Sequence, residues 1–229
     1  DGTLVCLTPG ESISMKENNK EFPSKGWILA FHPDLICGTP LGLNIHNYTF
    51  FSYCPEEALH LSLREKQIIL EFLERIRQEL ERCIDRHSKK IISKYIELLL
   101  DYCTRFYERQ FITRSEVNKK VFREFNHLLD NHFNVKVSLS TDVLSDEYCA
   151  NLLHLLPAYF NDLLKYEIGK EFKEYIQFKR FEIAKGWLVN TDKTLGQIAQ
   201  ELGFSNSQYF SRLFKKITGC SPNEFRMPN

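Results

Sequence analysis

The spacing of apolar residues changes near residue 60, and the change predicts two kinds of structure. Upstream, the short β-rich runs Leu4–Leu7 and Trp27–Phe31 lie between turn signals such as Pro9-Gly10. They predict a β-rich N-terminal segment over 1–60, whose aromatic rings fill a core or line a pocket. Downstream, apolar residues recur every three or four positions, which predicts helices.

Three helical segments follow, and they predict a helical linker or dimerisation region over 61–134. Ser62 and Glu65 form a capping-box pattern at the start of the first segment. The second segment, about 88–108, is apolar over more than one face. Its surplus apolar surface predicts either homodimerisation or burial against the β-rich segment and the third helix. The residues of that surplus surface are Ile91, Ile96, Leu98 and Leu100.

The C-terminal part, 135–229, contains an internal repeat with an offset of 50 residues. Residues 158–174 align with 208–224, and a short apolar helix precedes each copy, at 145–154 and 194–202. Two short helices joined by a tight turn, the second ending at a glycine, predict a helix-turn-helix. The identical pairs include Tyr159/Tyr209, Phe160/Phe210, Leu163/Leu213, Lys165/Lys215 and Gly169/Gly219.

The second copy has local signals at each step. Thr194 and Gln197 form a capping box, and Gly203 stands where the turn requires positive φ. Ser205 to Gln208 is a second capping-box pattern, which predicts the start of the next helix. The apolar face of that helix carries Phe210, Leu213, Phe214 and Ile217, and the opposite face carries Ser207, Gln208, Ser211, Arg212 and Lys215.

The polar face of the second copy has the side chains that reading DNA requires. Arg212 can donate two hydrogen bonds to guanine, and Gln208 can bridge the N6 and N7 atoms of adenine. Serine and lysine suit phosphates, which the N-terminus of a helix also attracts. The alternatives are an ordinary solvated helix face and a helix-turn-helix that binds another protein.

Composition restricts the picture further. The 30 basic residues balance 30 acidic ones, so net charge indicates no partner, although from Gly203 onward four basic residues accompany the single acidic Glu224. The seven cysteines are scattered along the sequence, which predicts a reducing, cytoplasmic location. Because His32 and His46 also lie far apart, we expect no metal site. Motifs for hydrolysis or phosphate binding are missing from the sequence, so we expect no enzyme and no cofactor. Since the sequence begins with Asp1, we expect that further residues precede it.

Residues 137–229 resemble the DNA-binding domain of the AraC/XylS family of bacterial transcription regulators. The segments that carry the resemblance are Ala184–Thr191, Ile198-Ala199, Leu202–Ser205, Tyr209–Lys215, Thr218–Pro222 and Glu224–Arg226. The resemblance implies double-stranded DNA as the partner, a homodimer, contact with RNA polymerase and a small effector that the sequence does not name. It also implies that 1–60 is the later part of a cupin-type barrel, which gives a mainly α, α+β fold.

By the same resemblance, the first copy presents Ala158, Asn161, Asp162 and Lys165 to DNA. This copy departs from the family pattern in two ways. Leu156 stands where a serine cap is usual, and Asp162 stands where many members have a cationic or amide side chain. A carboxylate accepts from cytosine but is repelled by phosphates, so we expect the first copy to bind more weakly or to read different bases.

Overall fold

The computed structural model describes residues 2–11, 26–134 and 144–227. The chain divides into two compact units, Asp1–Ser115 and Glu116–Asn229. Within the described ranges the fold is mainly helical, with ten α-helices and two short strands. None of the helices in those ranges combines the length and apolar character that crossing a membrane requires.

The first unit holds two strands, three α-helices and several turns of 3-10 helix. The strands are β1 (Gly2–Leu4) and β2 (Leu59–Leu61), which pair antiparallel with Thr3 opposite His60. The helices are α1 (Pro40–Asn44), α2 (Leu63–Glu81) and α3 (Ser88–Thr113), and the 3-10 turns are Pro33–Leu35, Ile45–Asn47, Thr49–Ser52 and Pro55–Glu57.

The β content of the first unit is smaller than the sequence predicts. The run Trp27–Phe31 forms no strand, and Ile28 is 88% exposed. In the run Leu4–Leu7 only Leu4 belongs to a strand. The prediction that these two runs form strands is therefore wrong. β-branched and aromatic residues favour strands only where a partner strand and a core face are available. The predicted cupin-like barrel therefore has no counterpart among the described residues of this unit.

Helix α3 organises the core of the first unit. The ring of Tyr107 stacks on Phe50 at 5.3 Å and meets Tyr53 edge-on at 5.1 Å. Gln110, which is buried, accepts a hydrogen bond from the His60 backbone at 2.8 Å and donates to the carbonyl of Ala58. This side chain takes the place of a neighbouring strand for β2, so the small sheet is tied to α3.

The predicted dimerisation surface divides into a buried and an exposed part. Ile96 and Leu100 lie in the core of the first unit, at 1% and 4% exposure. Ile91 and Leu98 are exposed on the other side of α3. Half of the apolar residues assigned to dimerisation are thus already covered within the chain, as the alternative of internal burial predicts.

The second unit consists of seven helices in its described part. They are α4 (Ser115–Asn134), α5 (Asp146–Leu152), α6 (Pro157–Ile168), α7 (Phe172–Asn190), α8 (Leu195–Glu201), α9 (Ser207–Thr218) and α10 (Pro222–Arg226). Helix α4, which begins at the last residue of the first unit, otherwise belongs to this unit. The boundary between the two compact units therefore lies between residues 115 and 116. The sequence predicts a boundary between 134 and 135.

The core of the second unit joins all parts of the repeat to α4. Phe125 of α4 lies 5.0 Å from Phe160 of α6 and 6.0 Å from Phe172 of α7, measured between ring centroids. In the other half, Phe181 of α7 packs against Phe210 and Phe214, which are fully buried. Helix α7 thus contributes one aromatic anchor to each helix pair.

Candidate nucleic-acid interface

The second helix pair, α8 and α9, forms a helix-turn-helix whose start follows the sequence rules. The hydroxyl of Thr194 accepts from the Gln197 backbone N–H while the Gln197 side chain accepts from the Thr194 backbone. This reciprocal pair is the predicted capping box. It satisfies two backbone groups at the start of α8 and fixes where the motif begins.

The turn between α8 and α9 has the predicted glycine and an unpredicted cap. Gly203 has φ +74°, a left-handed conformation that costs glycine no strain. Asn206 caps α9, because its side-chain oxygen accepts from the Tyr209 N–H at 2.7 Å. The capping box assigned to Ser205 and Gln208 is therefore wrong, since α9 starts one residue later.

The outward face of α9 is available to a partner. Gln208, Arg212 and Lys215 are exposed, while Ser207 and Ser211 are half-buried beside them. The guanidinium of Arg212 lies 5.6 Å from the centroid of the Tyr209 ring, which is itself exposed. A guanidinium held over an aromatic face loses little freedom on binding, so α9 presents a prepared donor.

The first helix pair, α5 and α6, has the same topology with different chemistry. Four residues, 153–156, join its helices, and five residues, 202–206, join those of the second pair. The turn of the first motif is therefore one residue shorter. His154, with φ +56°, occupies the position that Gly203 has in the other motif. Leu156 is the N-cap residue of α6 and its side chain makes no capping hydrogen bond.

The face of α6 that is equivalent to the outward face of α9 is less exposed and more acidic. Ala158, Asn161 and Asp162 are half-buried, and Lys165 is exposed. The Nδ2 atom of Asn161 donates to the carboxylate of Asp146 at 2.8 Å. Asp146 is the first residue of α5, so the leading helix of this motif supplies a carboxylate to the reading helix.

Charges at the helix ends separate the two motifs as well. The first turn of α5 carries Asp146 and Glu147, whereas the first turn of α8 has no acidic residue. The last turn of α9 carries Lys215 and Lys216, and that of α6 carries Lys165. The surface of the second motif is therefore the better one for a polyanion.

Two ionisable groups support the second motif from behind. The backbone and hydroxyl of Ser221, in a capping box, hold the pKa of Glu224 below its usual range, with a further contribution from Lys215. Burial lowers the pKa of Arg180, whose guanidinium lies 5.9 Å from the Phe204 ring in the turn of the motif. Neither group belongs to the outward face, so both act on the shape of the motif.

Comparison with known proteins agrees with this geometry. A family model described as a helix-turn-helix domain matches residues 149–227. The chain is 33% identical over 111 residues to YtdP, an uncharacterized HTH-type transcriptional regulator of Bacillus subtilis, covering 48% of this chain and 14% of YtdP. It is 31% identical over 101 residues to the arabinose operon regulatory protein of Salmonella typhimurium, covering 44% of this chain and 32% of that protein.

A third relative is similar along almost the entire chain. YijO, an uncharacterized HTH-type transcriptional regulator of Escherichia coli, is 24% identical over 225 residues, which is 98% of this chain and 76% of YijO. Residues 149–227 therefore carry a helix-turn-helix domain of the AraC/XylS type. The AraC/XylS resemblance of the C-terminal part is thus confirmed, and the matched domain lies in the second unit. The chain spans less than half the length of YtdP and of the arabinose operon protein.

Sequence reasoning missed two residues that contact the helix-turn-helix motifs. Asp146 bonds a residue fifteen positions away, a contact that helical spacing does not reveal. Arg180 lies on α7, where its charge resembles an ordinary solvated position.

Proposed function

We propose that this AraC/XylS protein regulates transcription by placing α6 and α9 in two successive major grooves of double-stranded DNA. One observation carries the proposal, namely that a single continuous helix, α7, joins the two motifs. Its 19 residues span about 28 Å at ~1.5 Å per residue. Successive grooves on one face of DNA lie about 34 Å apart, so α7 has the length of a spacer between them.

In this function α9 provides most of the sequence reading. Arg212 donates to guanine, and Gln208 bridges adenine from the first turn of the helix. Ser207, Ser211 and Lys215 bind phosphates, and the N-terminus of α9 adds its free N–H groups. The exposure of Gln208, Arg212 and Lys215 supports these roles.

Helix α6 has the smaller share. Ala158 contacts the groove through its methyl group, and Lys165 binds a phosphate. Asn161 and Asp162 contact base edges, and because both are half-buried they reach less far than Gln208 and Arg212. The two carboxylates in the first turn of α5 weaken phosphate binding on this side.

The remaining parts of the proposal concern the first unit and the setting. The protein acts in the bacterial cytoplasm as a homodimeric activator that contacts RNA polymerase, and it is not an enzyme. The exposed pair Ile91 and Leu98 on α3 supports dimerisation through this helix. A small effector acts on the first unit.

Selection of bound fragments from random DNA, followed by footprinting with the full chain, tests the proposal. We expect one enriched sequence with two half-sites about one helical turn apart. Lys215→Ala should weaken binding to enriched and random DNA alike and reduce the slope of affinity against salt concentration by about one. Lys119→Ala, at an exposed position of α4, is the control. If no sequence is enriched while another protein is bound through α9, the protein-binding alternative replaces this one.

A further inference from the structure

Asp146 makes a hydrogen bond that joins the two helices of the first motif through their side chains. Its Oδ2 atom accepts from Nδ2 of Asn161 at 2.8 Å, and both residues are half-buried. Asn161 lies on the second turn of α6, at a position proposed above to contact bases. One end of the Asn161 amide is therefore already committed before any DNA arrives.

The chemistry of the contact determines which end of the Asn161 amide bonds to Asp146. A carboxylate only accepts hydrogen bonds, so the amide must turn its nitrogen toward Asp146. The carbonyl oxygen, Oδ1, is the end that the contact does not use. In the major groove an acceptor matches the amino groups of adenine and cytosine and mismatches the O6 of guanine and the O4 of thymine.

We propose that Asp146 is a positioning residue that sets the base preference of the first motif. By holding Nδ2 of Asn161, it makes α6 favour an amino-bearing base, adenine or cytosine, at one position of the strand it faces. This inference rests on the proposed function, and it adds a residue outside α6 that decides what α6 reads.

The second motif has no equivalent of this contact. Aligning the N-caps Ser145 and Thr194 places Leu195 at the position of Asp146, and Ser211 takes the position of Asn161. A leucine cannot hold a polar reading group. Helix α9 instead relies on the donors of Arg212, which favour guanine, so the two motifs read opposite kinds of base edge.

Four variants of the full chain, compared by selection from random DNA, test the proposal. Asp146→Ala removes the hold on Asn161, and Asn161→Ala removes the reading group itself. Both should lower the preference for adenine or cytosine at the same single position by about tenfold, which is the scale of one base contact. Preferences at the positions read by α9 should stay unchanged, which also shows that the variants are folded.

The other two variants separate positioning from charge. Asp146→Asn keeps an acceptor oxygen opposite Asn161 without the charge, so the base preference should persist. Glu147→Gln removes a neighbouring exposed charge that makes no such contact, so all sequences should bind more tightly with an unchanged preference. If Asp146→Ala behaves like Glu147→Gln, Asp146 acts through charge alone and the inference is wrong.

Failure of the inference and failure of the proposed function give different results. If the unaltered chain enriches a sequence that Asp146→Ala enriches equally, only the role of Asp146 is rejected. If the unaltered chain enriches no sequence, DNA reading itself is rejected, and the role of Asp146 with it. Melting temperatures of all four variants within a few degrees of the unaltered chain show that the differences arise at the interface.

Discussion

The two helix-turn-helix motifs share a core and differ in almost everything around it. Phe160 and Phe210 occupy equivalent positions and are both fully buried. Yet the first motif has Leu156 as its cap and His154 at positive φ, where the second uses Asn206 and Gly203. The comparison shows that the packed rings fix the topology, while caps, turns and surface charges are free to diverge.

The motifs also obtain their stability in different ways. The second motif has a capped helix on each side of its turn, and α10 behind it carries another capping box. The first motif lacks a side-chain cap on α6, but α4 covers it with Phe125. In the first motif, packing against α4 thus compensates for the missing side-chain cap of α6.

Truncation of the two equivalent rings should have the largest effect. Phe160→Ala and Phe210→Ala should each lower the free energy of unfolding by about 3–5 kcal/mol, because each removes a fully buried ring. Urea denaturation of the full chain measures the loss. Lys173→Ala, at an exposed position of α7, is the control and should stay within about 0.5 kcal/mol. A loss below about 1 kcal/mol for Phe160→Ala alone would break the equivalence of the cores.

Substitution of Arg212 in α9 and of the equivalent Asp162 in α6 tests the outward faces of the two helices. Arg212→Ala should weaken binding to the selected DNA by about 1–3 kcal/mol and relax the preference at one base pair. Asp162→Ala, at the equivalent position of α6, should instead change binding by less than about 1 kcal/mol, because the loss of a base contact and the relief of repulsion from phosphates oppose each other. Titration of both variants against selected and random DNA distinguishes the two. Equal losses in both would mean that the motifs read DNA alike.

Removing the glycine from the second turn and introducing one into the first turn should change the free energy of unfolding in opposite directions. Gly203→Ala should cost about 1–2 kcal/mol of unfolding free energy, because its φ of +74° is unfavourable for a residue with a Cβ atom. The nearest atom to that Cβ is Nη2 of Arg180 at 3.6 Å, so crowding adds little. His154→Gly should gain up to about 0.5 kcal/mol by removing the strain at φ +56°. Thermal unfolding of both variants checks the signs.

Substitution of the N-cap residues should also have small effects. Asn206→Ala should cost about 1 kcal/mol, because the hydrogen bond to the Tyr209 N–H is lost. Leu156→Ser should gain about 0.5–1 kcal/mol, since the N-cap backbone of α6 is already extended and lacks only the side-chain acceptor. Asn206→Ser, which keeps an acceptor, is the matched control. A loss for Leu156→Ser would show that its apolar contacts outweigh the missing cap.

Sequence reasoning succeeded where the signal is local. The start of α8 and the tight turn at Gly203 follow from residues within a few positions of each other. It failed at Trp27–Phe31, because a strand depends on partners that no single segment specifies. It also missed the contact between Asp146 and Asn161, which exists only once α5 and α6 have packed together.

Helix α4 changes where the DNA-binding domain should be cut from the rest of the protein. Phe125, Leu129 and Phe133 belong to the core of the second unit, yet they precede the matched family segment 149–227. A fragment that starts at residue 149 would leave Phe160 and Phe172 with water on one side. A fragment that starts at 116 keeps that side closed, so it is the minimal piece for crystallisation with an operator.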